Sequence, residues 1–341
     1  MTVQKKKSTL EDVAKLAGVS TATISRCLND PEKVRENLRE KIHKSIEQLG
    51  YVPHGAARAL ASSRTKTIGI IVPTIDNLIF AEAIQQLQII LTKKDYTLLL
   101  ASSMYSLNEE LDEVHSLLSR GIDGLVLIGE EHHPEVISSI EKLEIPYVNL
   151  WTYHSTSKHS CIGIDHIKAG KKIAEHFVSL GHTQFGFISG YLNHNDRAFQ
   201  RLDGVKRGLK EQSIDLKQEN IIECKYSMKH GKQAFEKLIS SNPSITAIIC
   251  GNDVLALGAL NAARELSIRI PHDVSISGFD NIDIISALPF SITTIDVPAK
   301  KMGEEAANFI LNEIKQGSKS MKRLELNAEL VVGETTGPAK K

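Results

Sequence analysis

The sequence predicts a small all-α head followed by an α/β body made of two doubly wound parallel-sheet lobes. Three observations carry that expectation. Residues 9–29, TLEDVAKLAGVSTATISRCLN, read as two short helices around a tight turn. From about Thr67 onward, uninterrupted Ile, Val and Leu runs alternate with helical patterns, as parallel strands covered on both faces do. The charge is also lopsided. Residues 1–66 hold 13 Lys and Arg against 7 Asp and Glu, while the remainder holds 28 against 34, so a neutral chain of 341 residues hides a basic head on an acidic body.

In the first helix of the head, Leu10, Val13, Ala14 and Ala17 recur at the spacing of one apolar face. Thr9 and Asp12 form a capping pair before it, and Gly18 supplies the left-handed residue that ends it. Ser20 is the expected N-cap of the second helix, whose inner face is Ile24, Cys27 and Leu28. Two short helices that cross over the small Ala14 make a helix-turn-helix, whose second helix enters the DNA major groove. An ordinary αα-hairpin is the alternative on this segment alone. The second helix exposes Thr21, Ala22, Ser25 and Arg26. Arg26 suits bidentate contact with guanine, or else a phosphate contact or surface ion pair, while Ala22 suits a thymine methyl. Ser20, Thr23 and Asn29 are placed to hold phosphates and fix register, with Lys5 to Lys7 as a basic arm nearby. A third helix over 35–49 closes the bundle through Leu38, Ile42, Ile46 and Leu49.

The connector, HGAARALASSRTK, contains an Ala-rich stretch over 56–61 that is too short to be a stable helix alone. Leu60 in it suits a wedge between base steps of the minor groove, or a cap on the next domain. DVAKLAGVSTATISRCLN, GYVPHGAARAL, TKTIGIIVP, RIPHDVSISGFDN and TTIDVPAKKMGEEA, in this order, resemble the lactose-repressor family of bacterial transcription regulators along nearly the whole chain. The resemblance implies a periplasmic-binding-protein-like body, a hinge helix with Leu60 at the inserting position, and a C-terminal segment that crosses back between lobes. It also implies domains at 1–53, 54–66 and 67–341, with lobe one at 67–165 plus 298–322 and lobe two at 166–296 plus 323–336. Arg35 stands where the family often has a serine cap, so the third helix starts weakly. Gly55 loosens the hinge helix by roughly 1 kcal/mol relative to alanine. His166 stands where the family usually carries Asn.

In the body, strands are expected over 68–72, 96–101, 124–128, 147–150, 161–164, 185–188, 221–224, 247–250, 274–278 and 292–295. Ligands of such sheets bind beyond the carboxyl ends of the strands. After the first strand, Ile79 and Phe80 offer apolar contact and Asn77 or Asp76 a hydrogen bond. Asn195, Asp196, Arg197 and Arg201 crowd the crevice edge after the sixth. Arg197 suits a hydroxyl pair or carboxylate, whereas Arg201 is equally a structural partner for a neighbouring acid. Asn252 with Asp253, and Asp280 with Asn281, follow two later strands; such amide and carboxylate pairs suit the vicinal hydroxyls of a sugar. By resemblance, Phe80, Arg197, Tyr226, Asn252 and Asp280 fall near positions lining the family's effector pocket. Trp151, the only tryptophan, either stacks on a ligand ring or packs within a lobe.

Four scattered cysteines without a CxxC give neither a disulfide framework nor a zinc site. His132 and His133 read as solvated loop residues. No apolar leader or membrane-length run occurs, so the expected location is cytoplasmic, with no membrane partner. Dinucleotide, Walker and nucleophile-elbow motifs are missing, and no enzyme activity and no cofactor are expected. The expectation is a homodimeric, ligand-responsive transcriptional regulator, a repressor, on a pseudo-palindromic double-stranded operator. Lobe closure would order or melt the hinge helices. The PT-x-x-N-x-x-F-AE start of lobe one resembles gluconate-type repressors, which favours a sugar or sugar-acid effector. The alternatives are a nucleobase or other metabolite, or a sugar-binding protein or enzyme on the same two-lobe fold.

Overall fold

The computed structural model describes residues 8–52, 64–317 and 320–340. The chain divides into two compact units, Met1–Thr65 and Lys66–Lys341.

The head consists of α1 (Leu10–Ala17), α2 (Thr21–Asn29) and α3 (Glu36–Leu49), with a 3-10 turn at Pro31–Lys33 that the sequence reading missed. Thr9 Oγ1 accepts the Asp12 N–H at 3.2 Å while the Asp12 carboxylate accepts the Thr9 N–H at 2.9 Å, the reciprocal capping box. Gly18, at φ +64°, ends α1, and the Val19 N–H reaches back to the Ala14 carbonyl at 3.0 Å. Ser20 then caps α2 through the Thr23 N–H at 3.2 Å. Arg35 gives α3 no side-chain cap, as its side chain has no acceptor; Glu36 supplies first-turn negative charge instead. Val13, Ala14, Ala17, Ile24, Cys27, Val34, Ile42 and Tyr51 form the core. The arm 5–7, and the connector with Gly55, Leu60 and the helix expected over 56–61, lie outside the described residues.

All ten expected strands of the body form within two residues of their expected ends. In lobe one, β1 (Thr67–Val72), β2 (Thr97–Ser102), β3 (Gly124–Ile128), β4 (Tyr147–Leu150) and β5 (Cys161–Gly163) make a parallel sheet in the order β5-β4-β3-β1-β2. Helices α4 (Leu78–Thr92), α5 (Leu107–Ser119) and α6 (Pro134–Lys142) connect its strands. Lobe two starts with α7 (His166–Ser179). Its parallel sheet, β7-β6-β8-β9, contains β6 (Phe185–Ser189), β7 (Ile221–Glu223), β8 (Ala247–Cys250) and β9 (Ser275–Ser277). Between these run α8 (Asp196–Lys210), α9 (Met228–Ser241) and α10 (Asp253–Glu265). The chain then forms β10 (Thr294–Asp296) and returns to lobe one as α11 (Ala299–Gln316), which packs on α4 and under β3, β4 and β5.

The tail departs from expectation. Residues 323–325, assigned above to lobe two, form β11 (Arg323–Glu325), which extends the lobe-one sheet beside β5. Only after it does the chain cross to β12 (Glu329–Val331), antiparallel to β10. The alternation of a three-residue edge strand is too short to read from sequence. Three segments therefore pass between lobes: β5 to α7, β10 to α11, and β11 to β12. The first is tightly packed, because a Cβ on Gly163 would overlap the Thr152 backbone. Gly163→Ala should destabilise the body by about 1–3 kcal/mol through overpacking, read as a lower urea midpoint at unchanged m-value.

Candidate functional site

On the head, Ile24 and Cys27 are buried and Leu28 half-buried, so α2 turns Thr21, Ala22 and Arg26 to solvent, with Ser25 half-buried. Ala22 and Arg26 are one helical turn apart and share a face. Ser20 and Thr23 are committed to the cap: their hydroxyls lie 2.9 Å apart and Ser20 also accepts the Thr23 N–H. They can hold a phosphate only through the remaining hydroxyl capacity. Nothing is described of the Asn29 side chain, and Leu60 lies outside the described residues.

In the body, a crevice of about 330 Å³, counting the open solvent at its mouth, lies at the carboxyl ends of both sheets. Lobe one contributes Asn77, Ile79, Phe80, Tyr105 and Trp151; lobe two contributes Asn195, Arg197, Arg201, Tyr226, Asn252 and Asp280. The three asparagines are there for one local reason: each is the N-cap of a helix that leaves a strand end. Asn77 accepts from Ile79 N–H at 3.4 Å, Asn195 from Ala198 N–H at 3.3 Å and Asn252 from Leu255 N–H at 2.9 Å. A capping asparagine spends its carbonyl on the helix and presents its NH₂ outward. The Asn252 Nδ2 is buried and has no partner among the described residues, and the same holds for the Trp151 Nε1. Buried donors of this kind call for an acceptor.

Aromatic rings form the apolar walls. Phe80 meets Trp151 edge-on at 4.8 Å between centroids, and Tyr105 faces Tyr226 across the crevice at 6.2 Å. Trp151 thus both packs within lobe one and lines the cavity, so its two readings hold together. Tyr105 was missed by sequence reading. It follows β2 at a strand end, but Met104 and Tyr105 both adopt positive φ, at 50° and 60°, and that turn swings the ring into the crevice. Burial, then the neighbouring Tyr226, pushes its phenol well above the usual range, so it is a neutral hydroxyl.

The arginines are less free than their sequence positions suggest. Arg201 stacks over Phe279 at 4.2 Å and donates to the Gly251 carbonyl. Arg197 Nη1 donates to Asp196 Oδ1 at 2.6 Å and to the Ile128 carbonyl at 3.2 Å. Asp196, expected among the effector contacts, does not line the cavity. As the first residue of α8 it points at the other lobe, where its Oδ2 accepts the Glu130 N–H at 2.8 Å. The side chain of His132, read above as solvated, is buried, 2.8 Å from Glu110 Oε1 and 3.1 Å from the Gly129 carbonyl. His166 is also buried: its Nε2 donates to the Trp151 carbonyl at 2.7 Å and its ring stacks on Phe279. Burial, with Arg201 nearby, lowers its pKa well below the usual range, so it is a neutral strut in the first crossing.

Two buried carboxyls underlie lobe two's side. Asp253 accepts from the Thr294 hydroxyl at 2.7 Å and the Ile282 N–H at 2.9 Å, and burial still raises it to about 7. Asp280, at φ +107°, donates its N–H to the Ile295 carbonyl at 2.9 Å. Burial raises its carboxyl to about 8, Arg201 opposing and Asp253 adding to the shift. At neutral pH Asp280 therefore retains its proton and presents both a donor and an acceptor. No group of three or more His, Cys, Asp or Glu among the described residues is gathered to hold a metal ion, and no helix there is long and apolar enough to cross a membrane. Because the native state keeps these protons where the unfolded chain has lost them, these two carboxyls contribute stability that is full near pH 4 and is lost as pH rises towards about 8, while the buried His166, His176 and His182, held below the usual imidazole range by burial, contribute in the opposite direction. The carboxyl contribution should emerge as a difference: in paired urea titrations, the stability of wild type relative to Asp280→Asn should fall as pH rises from about 4 to about 8.

Residues 9–54 match the model of bacterial regulatory proteins of the lacI family, and residues 174–336 the periplasmic binding protein-like domain. The chain is 32% identical over 332 residues to the HTH-type transcriptional repressor PurR of Vibrio vulnificus (strain CMCP6), covering 96% of this chain and 98% of the relative. Its fold is similar to the lac repressor dimer bound to operator and the anti-inducer ONPF, at TM-score 0.85 and 25% identity, covering 97% of this chain and 100% of that one. It is also similar to a lacI family transcriptional regulator from Enterococcus faecium with bound ribose, at TM-score 0.72 and 26% identity, over 80% of this chain and 100% of that one. With head, body and order of segments all matched, the chain belongs to the lacI family of bacterial regulatory proteins, DNA-binding transcriptional regulators and not enzymes.

Proposed function

We propose that this regulator is a repressor that binds a pseudo-palindromic operator as a homodimer and answers to a sugar or sugar acid held between its lobes. The observation that carries the effector reading is the pair of buried, unpartnered donors, Asn252 Nδ2 and Trp151 Nε1, facing the same cavity as the protonated Asp280. Buried donors beside a carboxyl suit ring hydroxyls, while Phe80, Trp151 and Tyr226 suit the apolar faces of a pyranose or furanose ring. Both arginines lining the cavity are already engaged, by Asp196 and by main-chain carbonyls, which favours a neutral sugar over an acid. The ribose-bound relative supports the same class.

On the DNA side, Arg26 and Ala22 are assigned to base edges, Thr21 and Ser25 to the groove wall, and Ser20, Thr23 and Asn29 to phosphates. Leu60 is assigned to the minor groove. Effector binding shifts the lobe angle, and that shift changes operator affinity by the coupling free energy.

The deciding experiment selects DNA from random duplexes, then follows operator binding by fluorescence anisotropy with a panel of sugars, sugar acids and purines. A palindrome whose affinity shifts with a sugar is the expected result. A shift with purines alone would replace the sugar reading by a nucleobase. Arg26→Ala should cost about 1–3 kcal/mol on the selected palindrome and relax one base position. An unchanged base preference would remove it from base reading. Asp280→Ala should weaken the effector response at least about tenfold while operator affinity without effector stays the same.

A further inference from the structure

The loop after β3 and the start of α8 meet across the mouth of the crevice. From lobe one come the Ile128 carbonyl, Gly129 and the Glu130 N–H; from lobe two come Asp196 and Arg197. Asp196 uses both oxygens: Oδ2 accepts the Glu130 N–H across the gap, and Oδ1 is held by Arg197, whose Nη1 also reaches the Ile128 carbonyl. The two side chains are 12% and 7% exposed, so these charge-assisted bonds are little screened by water. Gly129, at φ +89°, admits them: a Cβ there would overlap Arg197 Nη1 and press on Asp196 Oδ1. The lobe-one loop is held ready from behind, where the buried Glu110–His132 pair ties it to the start of α5 through the Gly129 carbonyl and the His133 N–H.

We propose that Asp196 is the closure latch of the crevice: it clamps the Glu130 amide only when the lobes are together, and so sets the closed population on which effector affinity depends. It is a positioning residue and makes no effector contact. A conformation credited with such bonds is favoured by the ratio they contribute, and any ligand that needs the closed form gains by the same factor. The inference concerns the same crevice as the sugar reading, but it can be tested with no effector present.

The single tryptophan supplies the probe. Trp151 is 3% exposed and lines the cavity, so opening the crevice exposes it. In the full-length dimer, Asp196→Ala should red-shift Trp151 emission and raise its acrylamide quenching constant about twofold or more. It should also speed amide hydrogen exchange at Glu130 while exchange in the β8 core stays unchanged. Gly129→Ala should reproduce both effects by obstructing the contact. Asp196→Asn, which keeps the shape and an acceptor but loses the charge held by Arg197, should fall between and guards against misfolding of the alanine variant. The exposed pair Glu131–His194 spans the same mouth; Glu131→Ala should change neither readout. Unaltered quenching and unaltered Glu130 exchange in Asp196→Ala and Asp196→Asn would overturn the latch and leave the effector reading standing. A general rise in exchange throughout the body would likewise overturn it, as that marks a merely structural role.

Discussion

The body depends on its three inter-lobe crossings, because every polar group of the crevice is fixed to one of them or to a strand end beside it. The first crossing is held by contact: Gly163 lies against the Thr152 backbone, and His166 donates to the Trp151 carbonyl. The second is held by hydrogen bonds from the buried carboxyl region, with Asp280 N–H on Ile295 and Thr294 on Asp253. The third is held by Lys172, which donates to the Ala328 carbonyl at 2.6 Å, and by β11 and β12, one strand in each lobe's company. Three short tethers leave the lobes one main freedom, closure about the crossings.

Burial sets the chemistry of what lies between them. Burial pushes carboxyls towards their protonated form, Asp253 to about 7 and Asp280 to about 8, and keeps imidazoles such as His166 neutral. The crevice consequently offers neutral donors and acceptors and apolar ring faces, with its guanidinium groups tied up in structural bonds. Such a site recognises the pattern of hydroxyls around a small molecule more than its charge. At the mouth, the Asp196 carboxylate joins protein to protein.

The head obeys a different economy of interactions. Its eight buried core residues make a small core, so local signals at helix ends matter more: the Thr9–Asp12 box, Gly18, Ser20 and Gly50 each satisfy groups that a larger domain would cover by packing. That is also why the head was so legible. Caps and turns are local in sequence, and their partners lie within five residues.

The sequence by itself determined the element order, ten strands, the helix-turn-helix with its caps, and the strand ends at which polar residues gather. Period and capping chemistry are local, and seven of the eight residues expected in the crevice line one cavity. Only the tertiary structure decided which way the remaining side chains face. Asp196 and Arg197 are neighbours in sequence, yet one bonds the opposite lobe and the other lines the cavity, since that choice depends on a loop some 66 residues away. Tyr105 enters the crevice through two positive-φ residues that no periodicity announces, and β11 joins lobe one because an open edge beside β5 was there to accept it. Long-range hydrogen bonds and desolvation need both partners in place, and sequence spacing alone cannot bring them together.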